Sequence, residues 1–307
     1  MKKYQKLSNH AKSMIPNPYN SLNWLFGKDP LVQRTFPYIS WRLILPGLFL
    51  LSYFFIGPIF DLIVPKDLHP GIVVTGLPRL EQLLFGGIVH RLLRPLVNPV
   101  FDLICGYIYM THYLWPTVFP IYLIYKYKDP KRVAYFYLVL AVVANCGFLT
   151  MTLYPSAPSW FFEFSVEQGK LLPFSPITGN CAGMARADHI FGVSWFKDFY
   201  SANPIVFGSW PSMHIAWPLT ATLFDIKNGF LWFFDFLIIF SALYLEHHFL
   251  IDLICGVLYV AFVAMILPPP PCVWKDSVFS KQYYTKPKEK KIFPTIKRLI
   301  SNFNHMF

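Results

Sequence analysis

The chain has 307 residues, of which 55% are hydrophobic, 19% aromatic and only 14% charged, with a formal net charge of +11. That balance excludes an ordinary soluble domain, where about a quarter of residues are charged. The basic surplus is spread through tails and short connections instead of one face, so no nucleic-acid partner is expected.

Apolar runs near 20 residues, the length that crosses a hydrocarbon core as a helix, recur at about 43–63, 98–125, 133–153, 211–226, 229–246 and 248–267. They predict an all-α, polytopic membrane bundle of about six transmembrane helices. One membrane domain, 43–267, would lie between a tail at 1–42 and a basic tail at 268–307. The fourth run is the shortest, and at 1.5 Å rise per residue it reaches only about 24 Å. The first run follows roughly 40 polar residues, a placement that does not fit a cleaved signal peptide.

Twenty of the 27 Lys and Arg fall on one side of a six-helix alternation and seven on the other. The positive-inside rule then puts both termini in the cytoplasm. The far side receives 64–97, 154–210 and the turn at 246–248. Segment 79–97 reads as an interfacial amphipathic helix with Arg79, Arg91 and Arg94 toward its polar side. Loop 154–210 is long enough to act as a cap. Cys105, Cys146 and Cys255 lie in apolar runs, while Cys181 and Cys272 fall on opposite sides of the membrane, so no disulfide framework is expected.

Two short pieces at far-side helix starts carry the chemistry: Gly-Ser-Trp-Pro-Ser-Met-His at 208–214 and Glu-His-His-Phe-Leu-Ile-Asp at 246–252. Imidazoles and carboxylates are costly at a membrane boundary unless water, ligand or each other satisfies them. In the first piece Ser209 reads as an N-cap and Pro211 as a first-turn residue. The free N–H groups there and the Ser212 hydroxyl would cradle an anion beside His214. In the second piece His248 and Asp252 are four apart, one turn along one helical face. A carboxylate on one imidazole nitrogen fixes the tautomer and leaves the other as nucleophile or base. His247 points about 100° away and reads as an interface residue. A metal site built from these groups is not favoured, because adjacent histidines diverge and no further ligand cluster supports one. No cofactor is expected. The scheme they make has His248 attacking phosphorus, Asp252 stabilising the imidazolium and His214 protonating the departing oxygen.

Pro-Ser-Met-His followed by His-Phe-Leu-Ile-Asp resembles the second and third signatures of the type 2 phosphatidic acid phosphatase and vanadium haloperoxidase superfamily. The resemblance implies a nucleophilic His248 oriented by Asp252, and His214 as general acid. Tyr-Pro-Ser-Ala-Pro-Ser-Trp (154–160), Ala-Gly-Met-Ala-Arg-Ala-Asp (182–188) and the stretch 203–214 look like the fungal inositol phosphorylceramide synthase branch. That branch implies phosphatidylinositol and ceramide as lipid substrates, a lumenal active face in the Golgi membrane, and room for a regulatory membrane subunit. A lipid phosphatase, an inositol phosphotransferase acting on a more complex sphingolipid, and a non-catalytic scaffold or transporter stay open as alternatives. Two departures stand out: Ala242 occupies the arginine place of the third signature, and of Lys-x6-Arg-Pro only Arg94-Pro95 is present, with Gly87 at the lysine place. Phosphate-clamping charge is therefore expected elsewhere, from Arg186, with Asp188 and Lys197 as weaker candidates. Asp102 and His112 could line an acceptor channel or only join helices, and Asp235 is open in the same way.

Overall fold

Helix accounts for all the regular secondary structure in the computed structural model, which describes residues 41–127, 130–170, 178–202 and 205–267. The expected tails, apart from residues 41 and 42, lie outside those residues. Described residues 45–267 belong to one compact unit.

The first apolar run is two helices, α1 (Trp41–Leu51) and α2 (Ile56–Ile63), joined by a 3₁₀ turn at Ser52–Phe55. Pro58, in the first turn of α2, has no N–H to continue the ladder back to residue 54. The expected helix 79–97 is also divided. Helix α3 (Gly76–Phe85) ends at Gly86, whose φ of 75° glycine adopts most cheaply, and a 3₁₀ segment Val89–Leu96 follows. The second run splits into α4 (Pro99–Thr111) and α5 (Trp115–Tyr127) around a 3₁₀ turn at His112–Leu114, because Pro116 cannot donate to the His112 carbonyl. Helix α6 (Pro130–Leu153) is unbroken. The described residues of segment 154–210 include three short helices, α7 (Ser159–Glu167), α8 (Ala185–Phe191) and α9 (Trp195–Ser201). Then come α10 (Met213–Phe224), α11 (Gly229–Tyr244) and α12 (Leu250–Ile266).

Helices thus stand at all six expected places, and Pro46–Ile63 and Arg132–Leu153 are each long and apolar enough to cross a membrane. Large apolar side chains face outward, among them Leu62, Ile63, Phe233, Phe236, Leu258 and Phe262. An exterior of that kind fits lipid better than water.

Helix α10 lies at the centre, packed against α6, α11 and α12, while α11 leans on α4. The short α10 is apolar all round and nearly every residue is buried, as a central helix requires. Its approach to α12 depends on Gly256. A Cβ there would collide with the Ser212 carbonyl and come within 2.8 Å of Ile215 Cγ2. The backbone N–H of Ser212 donates to the Asp252 carbonyl at 3.0 Å, so the starts of α10 and α12 are tied together. Parallel bridges from Val73 to Ser156 and from Ser156 to Gly208 hold three extended segments beside these helix starts.

Candidate active site

The turn from α11 into α12 sets His248. Backbone N–H groups of His247 and His248 donate to the Ala242 carbonyl at 3.0 and 3.4 Å, and Glu246 takes a left-handed φ of 55°. His248 therefore lies just before α12, not inside a helix as expected from 248–267. The four-residue contact survives because Asp252, in the first turn of α12, reaches back. Its Oδ2 accepts from the Phe249 N–H at 3.0 Å and from His248 Nδ1 at 3.2 Å. Asp252 is fully buried, and a buried carboxylate is tolerable only with such donors. A proton on Nδ1 leaves the Nε2 lone pair of His248 facing His214 Nδ1 at 3.1 Å and the Ser212 hydroxyl at 3.3 Å.

His214 sits on the first turn of α10. Its ring stacks on Tyr109 (centroids 4.3 Å apart, planes 12° apart) and lies 4.1 Å from the His112 ring. Its buried Nε2 has no hydrogen-bond partner, nor has Asp252 Oδ1. Ser209 is not the N-cap. Ser212 occupies that position, making no side-chain cap, which frees its hydroxyl for His248. The Ser209 hydroxyl instead lies 3.1 Å from Ser156 Oγ and 3.2 Å from the Ala157 carbonyl, joining the loop before α10 to the start of 154–210.

Arg186, on α8, is held by Asp102 of α4, with Nε donating to Oδ1 at 2.7 Å, and its guanidinium lies over the Tyr244 ring. Tyr244 also donates to Asp102, at 2.8 Å, and Arg186 Nη2 has no hydrogen-bond partner. The turn before α8 is docked to the histidine turn: Gly183 N–H donates to the Leu245 carbonyl, and His247 Nε2 donates to the Cys181 carbonyl, both at 2.9 Å. His247 is thus a buried strut, not an interface residue. Burial pulls it down to about 3, against its hydrogen bond to Cys181, so it stays neutral near pH 7. Asp188 is a cap, accepting from the backbone N–H groups of Phe196 and Lys197 at the start of α9, which leaves it no clamping role. Asp235 accepts from Thr222 at 2.7 Å and joins α10 to α11.

A family model described as the PAP2 superfamily matches residues 75–267, which includes both histidine motifs and the segment that carries Arg186. The chain belongs to the PAP2 superfamily. Among curated relatives, the phosphoinositol dihydroceramide synthase of Bacteroides thetaiotaomicron is 32% identical over 206 residues, covering 61% of this chain and 64% of that one. The inositol phosphorylceramide synthase catalytic subunits of Schizosaccharomyces pombe and Saccharomyces cerevisiae are 26% and 25% identical. Those two matches cover 63% and 72% of this chain, and 46% and 56% of the yeast proteins. The chain therefore spans about half to two thirds of the length of these relatives. No solved structure matches it significantly.

Within this PAP2 member, the remnant of the first signature has partners that the sequence did not disclose. Arg94, on the 3₁₀ segment after α3, donates from Nε and Nη2 to both carboxylate oxygens of Glu246, at 2.7 and 3.3 Å. Nη2 also reaches Glu163 of α7 at 2.8 Å. Glu163 accepts in addition from Arg91 through two nitrogens and from His90 at 3.0 Å. Burial alone would raise the Glu163 carboxyl, but the hydrogen bonds from His90 and Arg91 outweigh it and hold the group at about 2. Hydrogen bonding to Glu246 pushes the Arg94 guanidinium up in turn. Arg94 and Glu246 are 152 residues apart, and nothing in their local sequence pairs them.

Proposed function

We propose that the chain is an integral membrane lipid phosphotransferase that moves inositol phosphate from phosphatidylinositol to ceramide through a phosphohistidine. One observation carries the chemistry: Asp252 holds His248 Nδ1, and the freed Nε2 faces His214 and Ser212 at hydrogen-bond distance. The substrate pair is supported by the names of the relatives, which are synthases of inositol phosphorylceramide and phosphoinositol dihydroceramide.

In the first half-reaction the Nε2 lone pair of His248 attacks phosphorus. The bond from phosphorus to the glyceride oxygen breaks, and His214, an imidazolium once the anionic diester lies beside it, gives that oxygen its proton, becomes neutral and releases diacylglycerol. Asp252 offsets the positive charge that grows on the His248 ring. In the second half-reaction a ceramide hydroxyl gives its proton to His214 and attacks phosphorus, the N–P bond breaks, and His248 returns to its neutral state. Substrate must enter by parting the His214–His248 contact, so the resting enzyme keeps its nucleophile covered. The N-terminus of α10, the Ser212 hydroxyl and the free Nη2 of Arg186 supply donors for a phosphate diester. Ser209 braces the floor of that cradle. The active face is the non-cytoplasmic one in this reading, the lumenal side in a Golgi membrane. Two relatives are named as catalytic subunits, so a second membrane subunit belongs to the proposal.

The test is purified protein with phosphatidylinositol labelled in the head group, with and without ceramide. A labelled sphingolipid that appears only with ceramide supports transfer. Water-soluble inositol phosphate released at the same rate without ceramide would make the enzyme a hydrolase, and no turnover of either kind would leave a scaffold.

A further inference from the structure

We propose that Glu246 and Arg94 are positioning residues for His248, a pair that anchors the turn presenting the nucleophile; the proposal rests on His248 being the nucleophile named above. Glu246 immediately precedes His247 and His248 and, at a φ of 55°, is the left-handed cap of α11, an uncommon place for a residue with a side chain. The cap's own bonds run from the Glu246 N–H to Leu243 O and from the His247 N–H to Ala242 O, both at 3.0 Å. Two further contacts anchor it from outside: the Arg94 fork grips both carboxylate oxygens, and Ser159 at the start of α7 donates to the Glu246 carbonyl at 2.6 Å. Arg94 is itself anchored, because Glu163 is nearly buried and shares its two oxygens among Arg94, Arg91 and His90. The 3₁₀ segment Val89–Leu96 therefore works as a buckle joining α7 to the turn that presents the nucleophile.

This assignment differs from a phosphate clamp. Arg94 already faces two carboxylates, and a diester would have to displace both. A fork on a carboxylate fixes direction as well as charge, which a lysine could not do. With the fork gone, the turn loses its side-chain anchor to α7 and swings the His248 ring off its line to phosphorus. Misplacing a reacting group by an ångström costs about 10²-fold.

The experiment is a double-mutant cycle on the full chain in detergent micelles, using transfer of label from phosphatidylinositol to ceramide, with thermal unfolding followed in parallel. Arg94→Ala and Glu246→Ala should each lower kcat by about 10²-fold with KM for phosphatidylinositol unchanged. The double variant should be no slower than the worse single, since each residue acts through the other. Multiplying effects, a raised KM with kcat intact, or wild-type kcat in either single variant would overturn the proposal. If the alanine variants do not fold, Arg94→Lys decides: it keeps the charge and loses the fork, so an intermediate kcat at an unchanged unfolding temperature supports the buckle and full kcat overturns it. Full turnover in His248→Ala would sink the nucleophile assignment itself, a result separable from any of these.

Discussion

The two ends of α10 are built to opposite rules. At the end away from the histidines, Asp225 accepts from Tyr122, from Lys126 at 2.6 Å, from Tyr127 at 2.7 Å and from Asn228 at 3.3 Å. Both of its oxygens are used, and four side chains, three from α5 and one from the loop that follows α10, converge on one carboxylate. At the other end His214 keeps a buried nitrogen without a partner, Asp252 keeps a free oxygen, and His214 and His248 spend their facing nitrogens on each other. A saturated cluster fixes a helix; an unsaturated one has donors and acceptors that a ligand can use. Burial alone does not separate the two, since Asp225 and Asp252 are both buried. Neither does an open oxygen alone, since Asp235 Oδ1 beside Thr222 also lacks a partner. What separates them is that the open atoms of Asp252 and His214 lie where two histidines face each other.

The largest test of that contrast is His248→Ala, which should reduce transfer by about 10⁶-fold while leaving the unfolding temperature close to wild type. Asp252→Asn should cost about 10⁴-fold, by spoiling the tautomer of His248. His214→Asn should cost about 10²–10⁴-fold, the usual worth of one general acid. All three are read as initial rates of label transfer, and a variant with wild-type rate removes that residue from the scheme. The saturated end should respond in the other way. Asp225→Asn should destabilise the protein by about 1–3 kcal/mol through its stranded donors, with kcat per folded molecule within about twofold of wild type. A kcat loss as large as that of His214→Asn would erase the distinction between the ends.

The smallest effect concerns pH. Glu163 is held at about 2 against an ordinary 4.5, so its contribution to stability is present above 4.5 and disappears as pH falls through 2. Unfolding temperature should therefore drop across that window in wild type and drop less in Glu163→Gln. An identical acid profile in both would show that the His90–Arg91–Arg94 set does not stabilise the carboxylate.

How much of this was legible depended on how local each feature is. His248 and Asp252 are one helical turn apart, so spacing alone paired them, although the contact is made by a cap reaching back and not along a helix face. The meeting of His214 with His248 followed from charge counting along the chain, because alternation brings both helix starts to one side. The six apolar runs marked where helices stand, and prolines 58 and 116 explain why two of them break. What stayed hidden was pairing across the chain. Arg94 with Glu246, Arg186 with Asp102 and Asp225 with Tyr122 each join residues roughly 80 to 150 positions apart, and no period or motif encodes such partners. The Ser209 cap failed for a related reason: Ser209, Pro211 and Ser212, within four residues, offer several helix starts, and the packing of 156–157 against the loop chose the later one.

Gly256 carries a further consequence. Between helices in lipid there is little hydrophobic drive to association, so shape decides how closely they approach. The spacing of His214 and His248 is then gauged by a missing methyl group on a residue that reacts with nothing. An alanine there must push the Ser212 carbonyl away and carry the first turn of α10 with it. The enzyme could be switched off from a position where every acid, base and nucleophile remains in place, and a screen for lost activity would find a packing defect dressed as a catalytic one.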